Sequence, residues 1–280
     1  MEPLRASATV GAVAVESEKE PRTVGELVRF WRSQRRLTQM ELALEANLST
    51  KHLSFVETGR SRPSRQLLVH LAQHLDLPIA ERNRLLLAGG FAPPYLEQPY
   101  DGEVMQPLRE SLSRLLQAHE PNPALIVDGL WNLIEANGAA SLLWDGVDPD
   151  LLEPPINMLR LGVHPGGLPK ISSMTAACNA PLIQTLRRKS REDADPALGR
   201  LIEEVEAYLP DDPPTGQATQ PVVSLDLRTP LGEVSLFTVI ATIGAPLEVT
   251  AASLAIETFV PMDARSAARL AELGERSRGG

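Results

Sequence analysis

The stretch Leu37–Pro63, LTQMELALEANLSTKHLSFVETGRSRP, decides how the first part of this chain folds. Thr38 followed three residues later by Glu41 is a capping-box pattern, in which each side chain satisfies a backbone N–H of the other at a helix start. Leu42, Ala46, Leu48, Leu53 and Val56 are spaced for two short helices sharing one apolar core. Between them, Ala46-Asn47-Leu48 makes a tight turn, because Asn tolerates the left-handed backbone that such a turn needs. Ser49 is the N-cap of the second helix, and Gly59 stands just past its end.

The result is a short helix with an exposed N-terminal end, braced by another helix across a turn of about three or four residues. Such a helix fits the major groove of B-DNA while its partner crosses the backbone. Ser49, Thr50, Lys51, His52, Ser54 and Phe55 occupy the outward positions. Lys51 is suited to guanine acceptors and Phe55 to a thymine methyl. Gln39, at the start of the preceding helix, is placed for a phosphate, and Arg60, Arg62 and Arg65 follow as further phosphate contacts.

On Leu37-Thr38-Gln39, Glu41-Leu42-Ala43, Leu48-Ser49, Leu53-Ser54, Val56-Glu57-Thr58-Gly59-Arg60, Arg62-Pro63 and Leu67, the segment resembles the lambda-repressor-like, XRE-type helix-turn-helix family. The resemblance covers residues 23–88 and implies binding to double-stranded DNA. It departs from the family at Phe55, where a polar or basic base reader is more usual. The alternative for this module is a helical interaction domain that uses the fold without nucleic acid.

Charge agrees with a DNA-facing front half. Residues 21–92 carry 11 Lys+Arg against 6 Asp+Glu, whereas residues 93–280 carry 14 against 26, so a basic module is joined to an acidic one inside a net charge of −9. With 280 residues and 43% hydrophobic content the chain has enough for two cores, and with only 4% aromatics those cores are aliphatic. One cysteine, Cys178, excludes an internal disulfide. No apolar run reaches the roughly 20 residues of a membrane span, and the short patch Ala8–Val15 lacks the flanks of a signal peptide. The expected location is the cytoplasm.

Around the reader pair, residues 1–20 are expected as a disordered arm and 21–92 as a five-helix domain. The first helix carries Val24, Leu27, Val28 and Trp31; the fourth, capped by Ser64, carries Leu67, Leu68, Leu71, Ala72 and Leu75; the fifth runs over 79–88. His70 and His74 have metal-compatible spacing on the fourth helix, but no third ligand accompanies them, so no metal is expected. Prolines 93, 94 and 99 mark a linker over 93–104.

The second domain is expected over 105–274, with a disordered tail at 275–280. A helix over 106–119 either packs on this domain or makes a dimer contact. Strands are expected at 124–128 and 130–135, joined by the Asp128-Gly129 hairpin signal. Helices follow at 137–145, 157–161, 172–191 and 196–209, then a proline-rich loop at 211–221. Strands at 222–228, 233–243 and 254–260 precede a last helix capped by Asp263. The alternation over 233–243 reads as a strand covered on both faces and hence central. The fold class is therefore α+β overall: an all-α five-helix domain followed by an α+β domain with a five-stranded antiparallel sheet and helices on one face.

That order, with Pro123-Ala124, Trp131, Asn137, Asn157-Met-Leu-Arg160-Leu161, His164-Pro165, Gly167-Leu168, Leu227–Glu233, Ile256-Glu257 and Phe259–Pro261, resembles a PAS-type sensor domain. More closely it is similar to the ligand-binding domain of MmyB-like transcription regulators. The resemblance implies a long-chain fatty acid, such as myristate, as the ligand. Cys178 stands where relatives often carry Trp. A fatty acid needs an apolar tunnel and a cation or donor at its mouth. Arg160 is the first choice for the carboxylate, with His164 and Asn157 beside it and Trp131 and Asn137 at the border; each has an architectural alternative. Met158, Leu159 and Leu161 read as core. No triad, HExxH, phosphate loop or paired carboxylate supports an enzyme. The expectation is a homodimeric, lipid-responsive regulator without a cofactor; the alternative is a constitutive repressor whose second domain only dimerises.

Overall fold

The computed structural model of the chain describes residues 23–173, 179–209 and 222–279. The expected N-terminal arm, Cys178 and the loop at 211–221 lie outside them.

Five helices form the first domain: α1 Val24–Gln34, α2 Gln39–Glu45, α3 Thr50–Glu57, α4 Arg65–His74 and α5 Ile79–Ala88. Local rules set their ends. Thr23 with Glu26 and Thr38 with Glu41 both close reciprocal capping boxes, and Ser49 and Ser64 each accept an N–H from three residues on. The Glu41 carboxyl sits below its ordinary range because the Thr38 backbone N–H donates to it. Asn47 takes the left-handed backbone between α2 and α3, with φ 51°, and Gly59 does so after α3, with φ 72°. Leu27, Val28, Trp31, Leu42, Leu53, Leu68, Leu71 and Leu85 fill the core. Gly25 lets α1 lie directly on the end of α3, since a Cβ there would stand 2.5 Å from the Glu57 carbonyl oxygen.

The second domain is built on a five-stranded antiparallel sheet of order β2-β1-β5-β4-β3. Its strands are β1 Ala124–Val127, β2 Leu133–Ala136, β3 Leu225–Thr229, β4 Gly232–Thr242 and β5 Ala255–Pro261. The central strand is β5, not β4. The second half of β4 is open to solvent, with Val239 and Ile240 at 44% and 40% exposure, so its alternation overstates its cover.

Helices lie on both faces of the sheet rather than one. One face holds the main core, built with α7 Met158–Val163, α8 Leu168–Ile171, α9 Ala180–Glu192 and α10 Pro196–Glu206. The other face buries Ala124, Ile126 and Ile256 against Leu112 and Leu116 of α6 Gln106–Ala118 and Ala251 of α11 Val249–Ser253. Leu112 and Leu116 of α6 thus pack on its own domain, while Leu115 is exposed.

Three further boundaries differ from the sequence expectation. The β1–β2 connection is wider than a two-residue hairpin, because Asp128 Oδ1 accepts the N–H groups of Leu130 and Asn132 and delays the return strand to Leu133. Trp131, inside that corner, adopts φ 63°. The helix expected over 137–145 is a 3-10 helix over Gly138–Leu143, capped by Asn137. The tail at 275–280 is not separate: α12 Ala264–Gly279 runs through most of it, with an Arg276–Glu272 pair of 2.7 Å one turn apart.

The linker is strapped to both domains. Asn83 of α5 holds the backbone of Tyr95 through both its amide atoms. Val249 N–H donates to the Leu96 carbonyl, Gln98 N–H to Glu248, and Thr250 Oγ1 to the Gln98 carbonyl.

Candidate nucleic-acid interface and ligand pocket

The reader helix is fixed from behind by one buried acid. Glu57, at the end of α3, accepts from Arg32 Nε at 2.6 Å and Nη2 at 3.0 Å, and from Gln39 Nε2 at 2.8 Å. Three helices therefore meet at a single carboxylate whose side chain is 1% exposed. Gln39, expected at a phosphate, has this bond as its anchor, which leaves its other amide hydrogen for a partner.

On the outer face of α3, Ser49, Thr50, Lys51 and His52 are exposed and Ser54 and Phe55 are half-buried. The Lys51 ammonium lies 5.6 Å from the centre of the Phe55 ring. Phe55, the departure from the family pattern, thus serves as a platform that orients the cation next to it. Arg60, Arg62 and Arg65 are exposed beside the helix. Gln39 thus stands apart from the exposed residues Ser49–His52, its side chain bonded to the buried Glu57. His70 and His74 are elsewhere: their rings meet edge-on at 4.5 Å, and His70 Nε2 bonds the Ala46 carbonyl.

The second domain contains a cavity of about 380 Å³ between the sheet and its helices. Met158, Leu159 and Val163 line it from α7, Pro181, Leu182 and Ile183 from the first turn of α9, and Thr238, Ile240, Glu257 and Phe259 from the sheet. Trp131 and the segment Val222–Leu225 complete the wall. The size falls in the range of roughly 300–1,000 Å³ usual for small-molecule sites.

Of the five residues the sequence offers for ligand contact, the structure brings only Trp131 to this wall. Arg160 turns away: Nε and Nη2 form a two-pronged pair with Glu204 of α10 at 2.6 and 2.8 Å. That pair raises the guanidinium pKa and lowers the carboxyl's. Asn157 caps α7 and donates to the Leu130 carbonyl and to Asn132 Oδ1. Asn137 uses Oδ1 for the N–H groups of Ala124 and Ala140, and Nδ2 for the carbonyls of Leu116 and Asn122. His164 Nδ1 accepts the Gly166 N–H, and its ring packs edge-on against Tyr208. These four residues hold the corners of the domain. Met158 and Leu159, which read as core in the sequence, are core residues that also line the cavity.

The polar group that sequence reasoning misses is Glu257. It lies in the middle of the central strand, 6% exposed, and burial alone pushes its carboxyl up to about 7. A signal for it exists: a single ionisable residue inside the apolar run Leu254–Val260.

Among the described residues no three His, Cys, Asp or Glu side chains form a metal-holding group, and no helix is long and apolar enough to cross a membrane. A family model described as a helix-turn-helix domain matches residues 23–85, and one described as the MmyB-like transcription regulator ligand binding domain matches residues 108–273. A search of curated proteins finds no match. Both matched models are non-enzymatic regulator modules, and the second covers more than half of the chain. With a DNA-reading unit in front and an apolar-walled cavity behind, the chain belongs to the family of MmyB-like transcription regulators.

Proposed function

We propose that the protein is a cytoplasmic, homodimeric, sequence-specific DNA-binding regulator whose affinity for its operator changes when a small apolar ligand occupies the cavity of the second domain. One α3 helix reads one half-site, so two copies are needed for a palindromic operator. Lys51, flanked by Thr50 and His52, reads base edges, and Arg60, Arg62 and Arg65 neutralise phosphates. The ligand carries a long aliphatic chain, as a fatty acid such as myristate does, and the aliphatic wall suits such a chain.

The observation that carries this reading is the path of α9. Its first turn lines the cavity, and at its other end the Glu192 carbonyl accepts from Arg35 of the DNA-binding domain at 2.7 Å. Ala194, just beyond, packs against the core of that domain. A guest that presses on Pro181–Ile183 therefore acts on a rod whose far end abuts α1 and α4. A ligand shifts the DNA-binding equilibrium only to the extent that it binds the two arrangements unequally.

The test has two parts. Native mass spectrometry of the protein purified from its host is expected to find a retained lipid. Fluorescence anisotropy with an operator selected from random DNA is expected to show a change in affinity when myristate is added. Stable DNA binding that ignores a bound lipid would instead establish the constitutive reading, with the second domain confined to dimerisation.

A further inference from the structure

Among the described residues, Glu257 has no partner that accounts for its burial. It sits on the central strand, flanked in register by Leu125 on β1 and Ile240 on β4. Its side chain shares the sheet face of Phe259 and contributes to the cavity wall. Among the described residues no side chain or backbone group hydrogen-bonds its carboxyl, and no cation pairs with it. Acids are almost never buried without a partner, because an unpaired carboxylate out of water is costly.

The rest of the wall sharpens the point. Glu257 is the one ionisable side chain among the described lining residues; Asn179, Ser224 and Thr238 are polar but neutral. None of α7, α9, β1 or β4 contributes a Lys, Arg or His to the lining. The sequence stretches adjoining the wall residues Asn179 and Val222, residues 174–178 and 210–221, also contain no Lys, Arg or His. Among the described residues the cavity thus has a greasy wall, one acid and no cation. An ionised carboxylate head brought in here would face a second acid, and two carboxyls at close quarters cannot both ionise.

We propose that Glu257 is the head-group receptor of this cavity, and that it selects amphiphiles whose head brings a proton to it, an ammonium or a hydroxyl, over those that present a carboxylate. This rests on reading the cavity as the ligand site. A protonated amine gives a charge-assisted hydrogen bond to the ionised acid, and an alcohol gives a neutral one. A fatty acid is held only with one proton shared between its carboxyl and Glu257. The raised carboxyl pKa fits this, because near neutrality the empty site can keep that proton. Two opposite pH trends result. Alkylamine affinity rises as the pH climbs through neutrality and Glu257 ionises; fatty-acid affinity falls over the same interval.

The experiment uses the full chain and three probes of equal chain length: dodecylamine, dodecanol and dodecanoate, below their micellar concentrations, by isothermal titration calorimetry. At about pH 8 the amine is expected to bind at least about tenfold tighter than the carboxylate, the scale of one charge-assisted bond. In Glu257→Gln the amine-to-carboxylate ratio falls to near one and both pH trends flatten, while dodecanol still binds. The wild-type pH trends test the same assignment without any variant. If all three probes bind but the ratio and the trends are the same in Glu257→Gln, or if the wild type prefers dodecanoate at about pH 8, the head-group assignment is overturned and the cavity reading stands. If no probe binds the wild type, both fall together.

Discussion

The guanidinium of Arg35 donates to the Glu192 carbonyl at 2.7 Å, and with its other nitrogens to the carbonyls of Leu75 and Asp76 at 2.8 and 2.7 Å. One side chain thus closes the C-terminal ends of α4 in the DNA-binding domain and of α9 in the ligand domain. Exposed helix carbonyls carry partial negative charge, so a fixed cation between two such ends joins them.

If this joint transmits occupancy, Arg35→Ala separates binding from response. Affinity for dodecanol stays within about twofold of wild type, whereas the ligand-induced change in operator affinity drops by about 1 kcal/mol or more, a usual size for allosteric coupling. Calorimetry reads the first and anisotropy the second. An undiminished response in a folded variant would remove α9 from the route.

Glu57 holds three helices, and its loss leaves Arg32, itself only 12% exposed on its side chain, without its carboxylate partner, with Nη1 still donating to the Leu37 carbonyl. Glu57→Ala is expected to destabilise the first domain by about 3 kcal/mol, as when one member of a buried pair is removed. Glu57→Gln, which keeps hydrogen bonding, costs less. Urea unfolding followed by circular dichroism measures both.

Lys51 and Arg62 are expected to fail differently. Lys51→Ala loses about 1–3 kcal/mol at one base position and relaxes the preference there. Arg62→Ala weakens all sequences alike and lowers the slope of log affinity against log salt by about 1. Helicity is unchanged in both. Binding to a set of operator variants at several salt concentrations distinguishes the two patterns.

Stability should report Glu257 as well. Its carboxyl is raised from 4.5 in the open chain to about 7 when folded. Between those values the folded protein keeps a proton that the unfolded chain has released. The stability tied to this group is therefore full below about pH 4.5 and lost as the pH rises to about 7, a change on the order of 3 kcal/mol. Glu257→Gln removes this slope. The difference between variant and wild type in urea midpoints, followed across that window, cancels the other titrating groups; a constant difference would contradict the burial of an unpaired acid.

Arg160→Ala is expected to leave dodecanol affinity unchanged and to cost at most about 1 kcal/mol, because its pair with Glu204 is about 40% exposed on both sides. A large loss of ligand binding would return Arg160 to the cavity.

The contrast between Arg160 and Glu257 shows what can be read from the sequence. Helix ends in the first domain are legible because they depend on neighbours three or four residues away, as with Thr38 and Glu41 or with Asn47 in its left-handed turn. The strand set and its antiparallel sheet are legible too, from alternation and turn residues. Arg160 is misplaced by the same reasoning because its partner, Glu204, is 44 residues distant, and residue type alone does not say which way a cation points. The centre of the sheet escapes for a related reason: a long alternating strand need not be the one with neighbours stacked over its whole length. Glu257 needs the opposite inference, from an acid that an apolar run should not contain.

Trp131 adopts a left-handed backbone at the Asp128 corner while lining the cavity. The chain has three tryptophans, and the other two are Trp31, sealed in the first domain's core, and Trp144, packed beside the main core of the second. Each half of the molecule therefore carries its own chromophore. With Trp144 replaced by Phe, guest entry dims or brightens one indole and tightening around the operator the other, so the order of the two events becomes visible in unlabelled protein by stopped-flow emission.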